Sequence, residues 1–134
     1  MLKLMIGVKG TGKTKTLIEK VNAASAASHG DVVCIEKGTG LRFDIKSKVR
    51  LINTEEYLVN DADALYGFVA GILASNYDVT DVFVDNTLKI CKDVAAFEAM
   101  LDAVNALLEK HDVNVFMTAS LAVEDATDTI KKYI

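Results

Sequence analysis

Leu2-Lys3-Leu4-Met5-Ile6-Gly7-Val8-Lys9-Gly10-Thr11-Gly12-Lys13-Thr14 joins an apolar run to a glycine-rich turn that ends in a lysine and a threonine. Leu2 to Ile6 reads as a buried strand. Lys13 to about Ala27 reads as a helix, with Leu17, Ile18, Val21 and Ala24 on one face. Between them, Gly7 to Thr14 satisfies every fixed position of the pattern G-x-x-x-x-G-K-[ST]. Glycines at that spacing let backbone amides wrap a phosphate where a side chain would block the approach. The following helix turns its positive dipole end toward the same anion. Lys13 adds a full charge near the β and γ phosphates, and Thr14 offers a hydroxyl to magnesium. Gly7, Gly10, Thr11 and Gly12 complete the candidate nucleotide contacts; Lys9 and Thr11 fill variable positions, and Lys9 reads as solvated.

Outward from this loop, short apolar runs alternate with helical patterns. Gly30-Asp31 ends the first helix, and Val32 to Ile35 reads as a second strand. Residues 36–53 read as a loop followed by a hairpin: Leu41 to Ile45 alternates like an exposed strand, and Lys46-Ser47-Lys48 turns it back into Val49 to Ile52. A helix is expected over about Asp61 to Ser75, then a strand Val82-Phe83-Val84. Val94, Phe97, Leu101, Val104 and Leu108 mark a long amphipathic helix whose stripe packs on the sheet. Val113 to Met117 is another strand, and a short helix covers roughly Val123 to Tyr133. Such alternation predicts a single α/β domain over residues 1–134, a three-layer sandwich around a mainly parallel sheet of four or so strands with a small β-hairpin insertion.

Composition narrows the function classes. The chain has 134 residues, 51% of them hydrophobic, and a net charge of -4. Nucleic acid and anionic membrane are therefore not expected partners. No apolar run approaches the ~18 residues that span a bilayer. The first residues lack the pattern of a signal peptide, which predicts a cytoplasmic protein. Cys34 sits in an apolar run and reads as a buried thiol; with Cys91 it makes neither a zinc cluster nor a redox pair. His29 and His111 fall at helix ends, where a cationic side chain suits the dipole.

Val82-Phe83-Val84-Asp85 is the second motif. An apolar strand that ends in aspartate sets a carboxylate at the carboxyl edge of the sheet, where magnesium would sit beside Thr14.

With these two motifs the chain resembles P-loop NTPases, and from Leu2 to about Ser120 its order of elements resembles the RecA-like ATPase core. It is also similar to small stand-alone bacterial ATP-binding proteins. The resemblance implies ATP and Mg²⁺ as ligands. It implies that Glu36, at the end of the strand after the first helix, activates the attacking water. It also implies that Thr118 or Ser120, at the tip of the strand after Val84, contacts the γ-phosphate. Many relatives carry glutamate directly after the strand-end aspartate; here Asn86 stands there, so hydrolysis rests on Glu36 or is weak.

Lys37, Arg42, Lys46, Lys48 and Arg50 concentrate positive charge between the second strand and the next helix. This segment reads either as a contact surface or lid, or as a solvated edge whose lysines discourage strand pairing. Arg42 and Arg50 are the only arginines. A transition-state arginine, worth about 10³ to 10⁵ in rate, must come from one of these, from a second subunit or from a partner. The favoured expectation is a slow ATPase that depends on assembly, as a homo-oligomer or with a protein partner. The alternatives are a nucleoside-type kinase and a nucleotide switch with negligible hydrolysis. The zinc-binding cysteines of thymidine kinases and an arginine-rich lid are both missing from the sequence. Tyr57, Tyr66 and Tyr77 could each stack on a base, and nothing in their spacing selects one.

Overall fold

The computed structural model describes residues 1–134. Five strands, β1 (Leu2–Gly7), β2 (Asp31–Glu36), β3 (Arg50–Asn53), β4 (Val79–Val84) and β5 (Asn114–Ser120), form one sheet in the order β1-β5-β4-β2-β3. Every pairing is parallel. The helices are α1 (Lys13–Ala27), α2 (Ala62–Ser75), α3 (Thr87–Cys91), α4 (Val94–Leu108) and α5 (Asp128–Lys131). None is long and apolar enough to cross a membrane.

Strand order and layering share one cause. From β1 the chain crosses to β2 by α1, moving along the sheet one way; it returns through β4 to β5 by α2, then α3 and α4. Right-handed crossovers in opposite directions put their helices on opposite faces. Alternate strand residues divide accordingly. Val32, Cys34 and Phe83 pack with Leu17 and Val21 of α1, whereas Val33, Ile35, Val82, Val84 and Met117 join the core under α2 and α4. Phe97, Leu101 and Val104 of α4 are buried in that core, as the stripe predicts. Residues buried on both faces of a parallel sheet account for the high apolar content.

The expected hairpin is not present. β3 runs parallel to β2, and residues 41–49 are turns rather than a strand. Leu41, Ile45 and Val49 recur every four residues, and all three are buried in the cluster with Leu17 and Val21. Burying that row against α1 removes more apolar surface from water than an exposed two-stranded ribbon could. Asn22 of α1 pins the segment, donating to the Asp44 carbonyl at 2.9 Å and accepting from the Lys46 amide at 3.0 Å. The C-terminal helix is also shorter than expected, a turn at Val123–Asp125 followed by α5. Sequence periodicity gave no sign of α3, which is bounded by left-handed residues at Asn86 and Lys92.

Candidate functional site

The carboxyl ends of the strands converge because the sheet is parallel. Gly7 lies beside Ser120, Val84 beside Met117, and Ile35 beside Val84. The Asp85 amide donates to the Ile35 carbonyl at 2.9 Å, so the carboxylate is held at the sheet edge by the neighbouring strand. In an open parallel sheet this edge is where ligands bind.

A cavity of about 430 Å³ opens there, and none of its ten lining residues is hydrophobic. Gly10, Gly12, Lys13, Thr14, Asp85, Thr118 and Ser120 line it, as the sequence reading expects. Lys9, Lys15 and Asn86 line it too. Lys9 is solvent-exposed, as expected, and sits at the cavity. The signal for Lys15 was its place in the first turn of α1, directly after Thr14. Gly7 and Thr11 do not line the cavity. The Thr11 hydroxyl donates to the Val8 carbonyl at 2.8 Å, and a Cβ on Gly7 would meet that hydroxyl oxygen at 2.6 Å. These two residues shape the turn instead of contributing to its surface.

The turn is built to leave backbone donors free. Gly10 and Gly12 have φ near +88° and +87°, where a side chain is strained, and the space a Cβ would take at either is open. Gly12 caps α1 without a side-chain acceptor, and no acid occupies the first turn. By contrast, Asp61, Asp93 and Thr127 each cap their helices by accepting a backbone N–H. The α1 N-terminus therefore keeps its positive end available to an anion. Lys13 reinforces it. This side chain is only 7% exposed and donates to the Val8 carbonyl at 2.9 Å. It has no carboxylate partner; the one ion pair in the chain joins Lys132 to Asp102.

On the opposite wall, Asp85 gathers hydroxyls. Thr14 Oγ1 donates to its carboxylate at 3.1 Å, and Thr118 Oγ1 at 2.6 Å. The Asn86 amide in turn donates to Thr118 Oγ1 at 2.8 Å. A carboxylate and a hydroxyl with open space beside them suit a hard, well-hydrated cation held by few protein ligands. No group of three or more His, Cys, Asp or Glu side chains is close enough to form a metal cage.

Glu36 is at the end of β2 but outside this cavity. It lines a smaller one of about 170 Å³ with Gly38, Thr39, Arg42, Leu51, Asn53 and Glu56. Its carboxylate accepts the Leu41 amide at 3.1 Å and holds the loop that follows β2. Burial raises its pKa; the Leu41 and Gly40 amides pull it back, and the charge of Asp85 pushes it up again. Neither Arg42 nor Arg50 lines the larger cavity. Cys34 and Cys91 are buried free thiols, each pushed up to about 12 mainly by burial.

A scan against protein-family models found no match, and no curated protein matches the sequence. The class established by the chain's own geometry is thus an α/β protein with a five-stranded parallel sheet, its polar cavity at the carboxyl edge.

Proposed function

We propose that the chain binds a magnesium–nucleoside triphosphate, with ATP the favoured ligand, in the cavity between the Gly7–Thr14 turn and Asp85, and hydrolyses it slowly. The observation that carries this reading is Lys13, a buried ammonium without a carboxylate, at the mouth of an uncapped helix. Burying such a charge unpaired is costly, and a polyphosphate would compensate it. Thr14 and Asp85 would hold the magnesium ion, which when bound supplies charge neutralisation to the phosphates. Gly10 and Gly12 would let the backbone approach the phosphates, and Lys9 and Lys15 would add positive charge at the cavity. Thr118 and Ser120 would face the terminal phosphate.

Slow turnover follows from the position of Glu36. As the water-activating base it must leave the Leu41 amide, and no arginine reaches the cavity to stabilise charge. Turnover would then depend on assembly or on a partner that rearranges the loop after β2. The same two observations favour, as a second reading, a nucleotide switch with negligible hydrolysis.

Magnesium-dependent phosphate release from ATP, measured with and without a panel of nucleosides, tests these readings. Release without an acceptor, lost in Lys13→Ala, supports the hydrolase. Tight nucleotide binding without release supports the switch, and transfer only to an added nucleoside would replace both with a kinase. Wild-type nucleotide binding by Lys13→Ala would overturn the assignment of the cavity.

A further inference from the structure

The two edges of the sheet are finished differently. At the β1 edge, the Leu4 amide donates to the Tyr133 carbonyl at 2.7 Å, so the C-terminal segment covers the middle of that strand. At the β3 edge, no backbone hydrogen bond outside the β2–β3 ladder involves residues 50–53. An open edge offers alternate N–H and C=O groups to another strand.

We propose that β3 pairs with β3 of a second copy of this chain, antiparallel about a two-fold axis, to form a continuous ten-stranded sheet. The charge pattern selects a second copy as the occupant. Lys46, Lys48 and Arg50 precede the centre of the strand, and Glu55 and Glu56 follow it; all five are exposed. None forms an ion pair within the chain, where only Lys132 and Asp102 do so. Two identical strands can exchange backbone hydrogen bonds about a two-fold axis only if a residue faces its own copy, because outward-facing groups alternate. Arg50 begins β3, Lys46 and Lys48 are in the turns that lead into it, and Glu55 and Glu56 are in the short helical turn Thr54–Tyr57 that follows it. Antiparallel pairing about a two-fold axis brings the basic flank of one copy toward the acidic flank of the other, twice by symmetry, whereas a parallel in-register pairing would set like against like. Tyr57 and Leu58, 50% and 76% exposed, follow the strand within a few residues and would add apolar area to the contact.

The dimer would supply the assembly on which turnover is proposed to depend, and the two readings fail separately. A chain that dimerises but neither binds nor hydrolyses nucleotide overturns the nucleotide reading and leaves the dimer intact.

Sedimentation of the 134-residue chain over a concentration series, with charge-reversed variants, tests the pairing. The wild type should dimerise. The variant Glu55→Lys with Glu56→Lys, and separately Lys46→Glu with Lys48→Glu, should each weaken self-association roughly tenfold or more. Mixed together, these two variants should form a heterodimer, because one edge is then wholly basic and the other acidic except for Arg50. Circular dichroism verifies that each variant folds; if one does not, the other, altered on the opposite side of the strand centre, is compared alone with the wild type. A wild type that stays monomeric throughout overturns the proposal. So do reversed variants that dimerise as well as the wild type, or two folded variants that fail to pair when mixed.

Discussion

Thr118 joins Asp85 to Asn86: its hydroxyl donates to Asp85 Oδ1 at 2.6 Å and accepts the Asn86 amide at 2.8 Å. Asn86 has φ of 53°, a left-handed conformation that costs energy unless its surroundings hold it. Thr118 is 33 residues from Asp85 and meets it only because β5 pairs with β4.

Thr118→Val keeps the shape but leaves a buried carboxylate and an amide each short of a partner. Unfolding in urea should show a loss of about 1–3 kcal/mol. Thr118→Ser, which restores the hydroxyl, should recover most of that loss, and wild-type stability in the valine variant would show that these two bonds contribute little.

Gly12→Ala forces a side chain into φ near +87° and into the open cavity. A loss of roughly 1–2 kcal/mol in stability is expected from the backbone alone. Nucleotide affinity, measured by titration calorimetry, should fall further than that loss explains, because the added methyl occupies space the phosphates would use.

Glu36→Gln separates stability from turnover. The folded-state pKa of Glu36 is raised, chiefly by burial, so the ionised form is the disfavoured one. Wild-type stability from this group is present below the unfolded glutamate value and lost as pH rises through the folded one. The glutamine variant avoids that loss and can still accept the Leu41 amide. Its melting temperature should match or exceed the wild type at neutral pH, and the difference should close as pH falls. Phosphate release should nonetheless disappear if Glu36 activates water; unchanged release would remove it from that role.

At the β1 edge, the Tyr133 hydroxyl donates to Asp102 at 2.5 Å while the Tyr133 carbonyl accepts from Leu4. Burial and the neighbouring Asp102 push the phenol from 10.0 up to about 12. Its contribution is complete below the unfolded value and lost as pH rises between 10.0 and about 12. Thermal melts of Tyr133→Phe should show a loss of roughly 0.5–1 kcal/mol at neutral pH and a weaker decline than the wild type in alkali.

Local features were legible from the chain. Helix α1 begins at Lys13 and ends at Ala27 as its periodicity predicts, and the strand that carries Asp85 is where an apolar run ends in a carboxylate. Residues 41–49 are ambiguous in sequence because Leu41, Phe43 and Ile45 fit a period of two while Leu41, Ile45 and Val49 fit a period of four. Over so short a window only contact with α1 decides between them. Glu36 shows the same limit at a single side chain: its strand was predictable, but its carboxylate turns to the Leu41 amide because the following loop folds back over it.

By itself, then, the sequence determined the glycine-rich turn, the helix it opens and the apolar strands, since these depend on backbone freedom and periodicity within a few residues. The tertiary structure alone decided that β5 lies between β1 and β4, that Thr14 and Thr118 reach Asp85 across 71 and 33 residues, and that one sheet edge is covered at its middle while the other is open. Those outcomes depend on which distant strands pair, and pairing is settled by burying both faces of the whole sheet at once.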